Sequence, residues 1–273
     1  MKKIKISILI ANYNGEKYLN KCIHSCLAQN IKNNYEIIFI DDNSTDNSLI
    51  KIKRFEKKIK LINTNKSKNI SQFNTYYQLN TYYHGLIKAK GEIICFLDSD
   101  DYLKKNKLSQ ISYYFSKYKN LDFIFDRPVF INSSGKIKKY QKRYGFRKNK
   151  WPSFPAQSCI SVKKNILIKN VKKLFKKKYP LTTLDFRIAS LADMNKKGTL
   201  FLDKELTYYF QHEKNESNKN FTIFNSNWFK RRLEGFDYYK IVNKRKFLTL
   251  DYFLTVIFNA FFECINFCTN KKD

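Results

Sequence analysis

Four short apolar runs, separated by three stretches of helical spacing and two of them ending in acidic clusters, constrain this chain more than any other feature. Lys5 to Ala11 (KISILIA), Tyr35 to Ile40 (YEIIFI), Ile59 to Asn63 and Glu92 to Leu97 (EIICFL) read as buried strands. Between the first pair, Glu16 to Gln29 places Tyr18, Leu19, Cys22, Ile23, Cys26 and Leu27 on one helical face. Asn47 to Lys57 and Phe73 to Ala89 supply two more helices, and Gly91 is expected to stop the latter. Strand and helix in alternation predict a doubly wound parallel sheet. In such sheets ligands bind beyond the carboxyl ends of the strands. The second strand ends at Asp41-Asp42 and the fourth at Asp98-Ser99-Asp100-Asp101, so both acidic clusters fall where a ligand would sit.

The second half is less regular. Leu121 to Asp126, Ser158 to Val162, Thr199 to Leu202 and Leu206 to Phe210 read as strands, and Asp185 to Asn195 as a helix. Lys163 to Tyr179 reads as a solvated helix and loop. With 273 residues, 43 % of them hydrophobic, the chain can bury a large core, and 7 Gly and 4 Pro exclude collagen-like or linker-rich organisation. Six cysteines show no disulfide framework and no second ligand pair for zinc, which fits a reducing compartment. Met1-Lys2-Lys3 leads straight into the first strand, so no signal peptide is expected.

Lys and Arg number 53 against 23 Asp and Glu, a formal charge of +30. Such an excess suggests an anionic partner. Only 8 of the cations are Arg, the better bidentate reader of phosphates and bases. No basic aromatic motif or recognition helix can be placed, so nucleic acid is not indicated as the partner.

Asp98 and Asp100 are two residues apart at the end of an apolar strand and can project toward one ligand. A hard divalent cation wants one or two carboxylates plus phosphate oxygens. An EF-hand lacks its glycine here, and a dehalogenase-type phosphatase would want Thr where Tyr102 stands. Asp41-Asp42-Asn43-Ser44-Thr45-Asp46 can either meet a base or ribose or cap the next helix.

Four segments taken together, SILIANYN (Ser7 to Asn14), IDDNSTD (Ile40 to Asp46), AKGE (Ala89 to Glu92) and FLDSDD (Phe96 to Asp101), resemble the family 2 glycosyltransferases in order and spacing. The resemblance implies a GT-A fold, that is, a Rossmann-like α/β fold with a mostly parallel central sheet flanked by helices, and here a helical C-terminal extension. The catalytic domain would span 1–217, with a nucleotide-binding half at 1–101 and an acceptor-side half at 102–217. The extension would span 218–273. It implies an inverting transfer from a nucleoside-diphosphate sugar, by Asp42 and Tyr13 a UDP-sugar, to a hydroxyl of a glycan or lipid-linked acceptor in cell-surface polysaccharide synthesis. Ala11, Tyr13, Asp42, Asp98 and Ser99 would hold the donor. Asp100, with Asp98 and His212, would hold Mg²⁺ or Mn²⁺. Asp185 fits the general base, with Asp193 as runner-up, and Glu216-Ser217 continues the segment after His212. Two departures stand out: Ala11 replaces a frequent Pro, and Tyr82 replaces a possible phosphate-facing Arg. A nucleotidyltransferase is disfavoured by a first loop with only Gly15, and a basic, non-catalytic binding protein leaves the two acidic strand ends and Asp185 without a role.

Leu248 to Cys268 reads as a helix with one polar stripe, Asp251, Thr255, Asn259, Glu263 and Asn266, and apolar residues elsewhere. It is expected either to pack on the domain or a second copy, or to rest on a membrane surface. Spanning would bury Asp251 and Glu263 at high cost. Lys244-Arg245-Lys246 before it suits anionic headgroups. The expected location is therefore cytoplasmic, peripheral on the inner face of the cell membrane. The sequence leaves an oligomer open.

Overall fold

The sheet is built outward from its most apolar strand. The computed structural model describes residues 6–31, 34–64, 74–138, 144–146, 151–213, 225–244 and 249–269, with side chains to 265. Strand β1 (Ile6–Asn12) is buried at every position and lies parallel between β2 (Tyr35–Asp41) and β4 (Ile93–Asp98), with β3 (Lys60–Asn63) outside β2. The full order is β3-β2-β1-β4-β8-β6-β9-β5. β8 (Ile160–Lys163) runs antiparallel to β4 and to β6 (Phe123–Asn132). β6 pairs parallel with β9 (Thr199–Gln211), which carries β5 (Tyr102–Leu103) antiparallel at its edge, and β7 (Ile137–Lys138) pairs with β6.

Successive residues of β1 and β2 feed opposite faces of the sheet. Leu9, Ala11, Ile38 and Ile40 enter one core, beneath α3 (Asn74–Lys88) and α7 (Leu184–Met194). Ile6, Ile8, Ile10, Ile37 and Phe39 enter the other, beneath α1 (Leu19–Leu27), α2 (Ser48–Lys53) and α4 (Lys107–Lys117). Such two-sided burial explains why these strands are continuous apolar runs rather than alternating ones. Short helices α5 (Lys164–Lys169) and α6 (Val171–Leu174), then α8 (Ser226–Asn243) and α9 (Leu250–Thr269), complete the chain.

Several sequence expectations change here. The two strands expected at 199–202 and 206–210 are one strand, β9. Its polar middle, Asp203-Lys204-Glu205, lies where the register with β6 shifts, and Asp203 meets Arg127 there at 2.5 Å. Helix α4 was not anticipated, and the helical extension expected over 218–273 contains two helices, α8 and α9. Gly91 is not a left-handed helix stop. A Cβ there would lie 2.4 Å from the Ser7 backbone nitrogen, so the glycine is needed for close approach of chain to chain.

Candidate active site

The strand ends at the centre of the sheet carry the acidic residues, and β1 is their common neighbour. Ala11 is paired with Ile40 on one side and Asp98 on the other, and Asn12 with Asp41. The Asp41–Asp46 segment divides its labour. Asp41 is fully buried and accepts from Asn12 Nδ2 (2.8 Å), Ser44 Oγ (2.7 Å) and Ser44 N (2.8 Å). Asp46 accepts from Ser48 N and Glu16 N, both at 2.9 Å. These two carboxylates build the turn. Asp42 is turned elsewhere: it accepts from Thr64 Oγ1 at 2.7 Å and is nearly buried.

The loop after β1 is stitched to the loop after β2. Asn14, at φ +50°, receives Thr45 N on its Oδ1 at 2.7 Å and donates its own N–H to Ser44 Oγ at 2.9 Å. Asn43, at φ +58°, makes the reciprocal left-handed corner, a conformation Asn tolerates better than most side chains. Gly15 lies over Ser99: an added Cβ would meet Ser99 Oγ at 2.7 Å and Asn12 Oδ1 at 2.2 Å. Tyr13 is half exposed at this rim.

At the end of β4, Asp98 Oδ1 accepts from Tyr82 Oη at 2.7 Å and Gln78 Nε2 at 2.8 Å, both from α3. Burial, then the charge of Asp100, pushes the Asp98 carboxyl up to about 7. The Tyr82 hydrogen bond opposes that rise, and the charge of Asp185 adds to it. Asp185 stands in the first turn of α7. Asp100 Oδ2 lies 2.9 Å from His212 Nε2, and the imidazole stacks on Tyr18 with ring centres 4.7 Å apart. Asp101 turns inward to accept Phe210 N at 2.9 Å; burial and then Asp100 hold its carboxyl well above the ordinary range.

Asp185 is half-buried, and burial raises its carboxyl above the ordinary aspartate range despite the opposing Thr183 hydroxyl and Arg231 charge. Two charged side chains hold the segment leading to it. Glu234 of α8 accepts Leu181 N (2.8 Å), Thr182 N (2.6 Å) and Thr182 Oγ1 (2.5 Å). Arg187, fully buried, donates to the carbonyls of Thr182 (3.0 Å), Leu174 (2.6 Å), Lys176 (3.0 Å) and Tyr179. Asp193 belongs to the far end of α7, where it accepts from Tyr239 Oη and pairs with Lys196 at 3.0 Å.

Behind the acidic strand end sits a buried polar knot. Lys107 Nζ donates at 2.7 Å to Asp126 Oδ2, Thr207 Oγ1 and Ser158 O, while Ser158 Oγ accepts Asp98 N at 3.0 Å. Lys107 and Asp126 are both fully buried. Sequence reasoning missed Gln78, Arg187, Glu234 and this knot. Tyr82 was noticed only as a departure; its hydroxyl on Asp98 now gives it a role. Glu216 and Ser217 lie outside the described residues.

No group of three His, Cys, Asp or Glu side chains able to hold a metal occurs among the described residues. The site still fits a divalent cation that takes part of its shell from a ligand's phosphates. A carboxylate and an imidazole converge at Asp100 and His212, and the crowded charges of Asp98, Asp100 and Asp101 are what a cation would relieve.

A Rossmann-like α/β sheet with acidic ends on neighbouring strands defines a class of proteins whose ligands bind beyond the carboxyl ends of the strands. The sequence model of Glycosyl transferase family 2 matches residues 7–175, more than half of the chain, and the chain belongs to that family. It is 31 % identical over 159 residues to an Escherichia coli protein, UDP-Glc:alpha-D-GlcNAc-diphosphoundecaprenol beta-1,3-glucosyltransferase WfgD, covering 58 % of each chain. It is 34 % identical over 138 residues to the poly(ribitol-phosphate) beta-glucosyltransferase of Bacillus spizizenii, covering 48 % of this chain and 20 % of that one. The matches thus span about a fifth to three-fifths of these relatives. Among solved structures, Staphylococcus aureus TarS 1–349 in complex with UDP superposes with a TM-score of 0.63 at 17 % identity, over 95 % of this chain and 70 % of that one. The fold is accordingly the GT-A fold.

Proposed function

We propose that the chain transfers a sugar, with inversion, from a UDP-sugar to a hydroxyl of a glycan or lipid-linked acceptor in cell-surface polysaccharide synthesis. The observation that carries this reading is the gathering of acidic strand ends beside β1, where Ala11 pairs with Ile40 on one side and Asp98 on the other, with Asp100 held against His212 at 2.9 Å. In this reading Asp98 holds the donor, and Asp185, at the start of α7, takes the proton.

Tyr13, at the rim, is suited to lie against the base, and Asp42, fixed by Thr64, to accept from the base N–H. Asp98, oriented by Tyr82 and Gln78, is suited to the ribose or the metal's surroundings. Ala11 and Ser99 line the floor, with Ser99 N donating to Ala11 O at 3.2 Å. Asp100 and His212 would hold Mg²⁺ or Mn²⁺, which when bound neutralises the departing diphosphate. Asp185 accepts the proton of the attacking hydroxyl, and its raised pKa makes it a better base than a solvated aspartate. Residues 1–217 form the catalytic unit in this reading and 218–273 its extension. A lipid-linked acceptor would put the work at the inner face of the cell membrane. WfgD, by its name, acts on a diphosphoundecaprenol-linked sugar, which supports that acceptor class.

The test is binding and slow hydrolysis of a panel of nucleotide sugars with and without Mn²⁺, in the intact chain and in Asp100→Ala. Metal-dependent binding of one UDP-sugar, lost in the variant, is expected. No metal-dependent binding of any donor would overturn the reading.

A further inference from the structure

The C-terminal helix faces the opposite way from an ordinary surface helix. Thr255 and Asn259 of its polar stripe are buried, at 2 % and 9 % exposure. Asp251 pairs with Arg232 of α8, and Thr255 Oγ1 donates back to Asp251 O at 2.7 Å. Phe258 and Phe262 stack on Phe229, and Tyr252 meets Phe236 edge-on, so α9 is fastened to α8 along this side. The other side is apolar and open. Leu250, Phe253, Leu254, Ile257, Phe261 and Ile265 are 41–75 % exposed. At 100° per residue they share one face, about 24 Å long. Among the described residues, no other element presents large apolar side chains to solvent in this concentration. No helix among them is long and apolar enough to cross a membrane.

We infer that this face seats the chain on an anionic lipid surface, with α9 lying in the interface plane. This deepens, and rests on, the reading of a lipid-linked acceptor. Charge decides the occupant. Lys240 and Lys244 are exposed at the end of α8, next to α9. Arg245 and Lys246 follow in sequence, and Lys271 and Lys272 come after the helix; these four lie outside the described residues. A chain of +30 repels a second copy of itself and is drawn to negative headgroups. An apolar helix face whose flanking sequence is rich in Lys and Arg on both sides suits an interfacial helix.

The placement has a functional sense. α8 carries Phe229, Arg232 and Phe236 toward α9, while Arg231 and Glu234 reach Thr183 and Thr182, beside Asp185. One helix therefore separates the lipid-facing surface from the segment that bears the base, so a lipid-anchored acceptor would be presented close to Asp185.

The experiment is vesicle co-flotation of the full chain, using phosphatidylcholine alone and an equal mixture with phosphatidylglycerol. Flotation with the anionic vesicles only, weakened by salt, is expected. Phe253→Ser/Ile257→Ser/Phe261→Ser should lower the bound fraction at least about tenfold. Lys240→Glu/Lys244→Glu should lower it without touching the apolar face. Donor binding is measured on the same samples and should be unchanged, which also reports folding. Absence of flotation in an intact chain that binds donor overturns the lipid inference alone. Equal flotation of the triple variant overturns it too, as does an intact dimer that the triple variant converts to monomer. Absence of donor binding with normal flotation overturns the enzymatic reading instead.

Discussion

The Tyr82 hydroxyl donates to Asp98 Oδ1 across 2.7 Å, at a position that brings no cation to the site. Tyr82 is wholly buried beneath the strand end and packs edge-on against Phe96, so its ring is held independently of the hydrogen bond. Tyr82→Phe keeps that packing and removes one bond to a carboxylate. Donor affinity should fall about tenfold with little change in thermal stability, as measured by titration calorimetry and melting. Unchanged affinity would show that Gln78 alone orients Asp98.

Asp185→Asn removes the proton acceptor and leaves the donor site intact. The expected loss in kcat is about 10²–10⁴-fold, with donor binding unaltered. The pH dependence of kcat follows from the raised carboxyl. A base works deprotonated, so activity falls as pH drops through its pKa. Because burial lifts that pKa, the fall should begin above the ordinary aspartate range. A profile flat down to that range would remove Asp185 from the role.

Glu234→Gln keeps the shape of the side chain that grips Leu181 and Thr182, but weakens three charge-assisted hydrogen bonds. Turnover should fall about tenfold while donor Kd stays the same, since the base segment loosens and the donor loops do not. A parallel loss of donor binding would mean that the substitution disturbs the fold generally.

Asp126→Ala would leave Lys107 charged, buried and missing its carboxylate. Stability should drop by about 3–5 kcal/mol in denaturant unfolding. The double change Lys107→Met/Asp126→Leu should be much milder, because a fully apolar replacement leaves no stranded charge. Equal effects of the two would contradict the buried pairing.

The parallel half of the sheet was legible because strands buried on both faces leave an unbroken apolar trace. The other half was legible only in part: strands were read within β6, β8 and β9, but not their full extent or their pairing, and the reasons are particular. β6 carries Asp126-Arg127-Pro128 in its middle, which ends an apolar run on paper. In the fold Asp126 is paired with Lys107 at the start of the preceding helix, a partnership no strand or helix periodicity announces. Within the helical extension, α8 spends several of its ionised residues, Arg231, Arg232 and Glu234 among them, on neighbouring elements rather than on water. The acidic strand ends stood out by position, and Asp185 by resemblance. Arg187 could not: it binds backbone carbonyls, and carbonyls are the same whatever the sequence.

The hydrogen bonds joining Asn14 and Glu16 to Ser44, Thr45 and Asp46 make the loops after β1 and β2 a single plate. A change of length in either loop would break the contacts of both. Such a plate resists gradual reshaping, so a lineage of this protein that changed what it binds there would do so by exchanging rim side chains such as Tyr13, leaving the loop backbones alone.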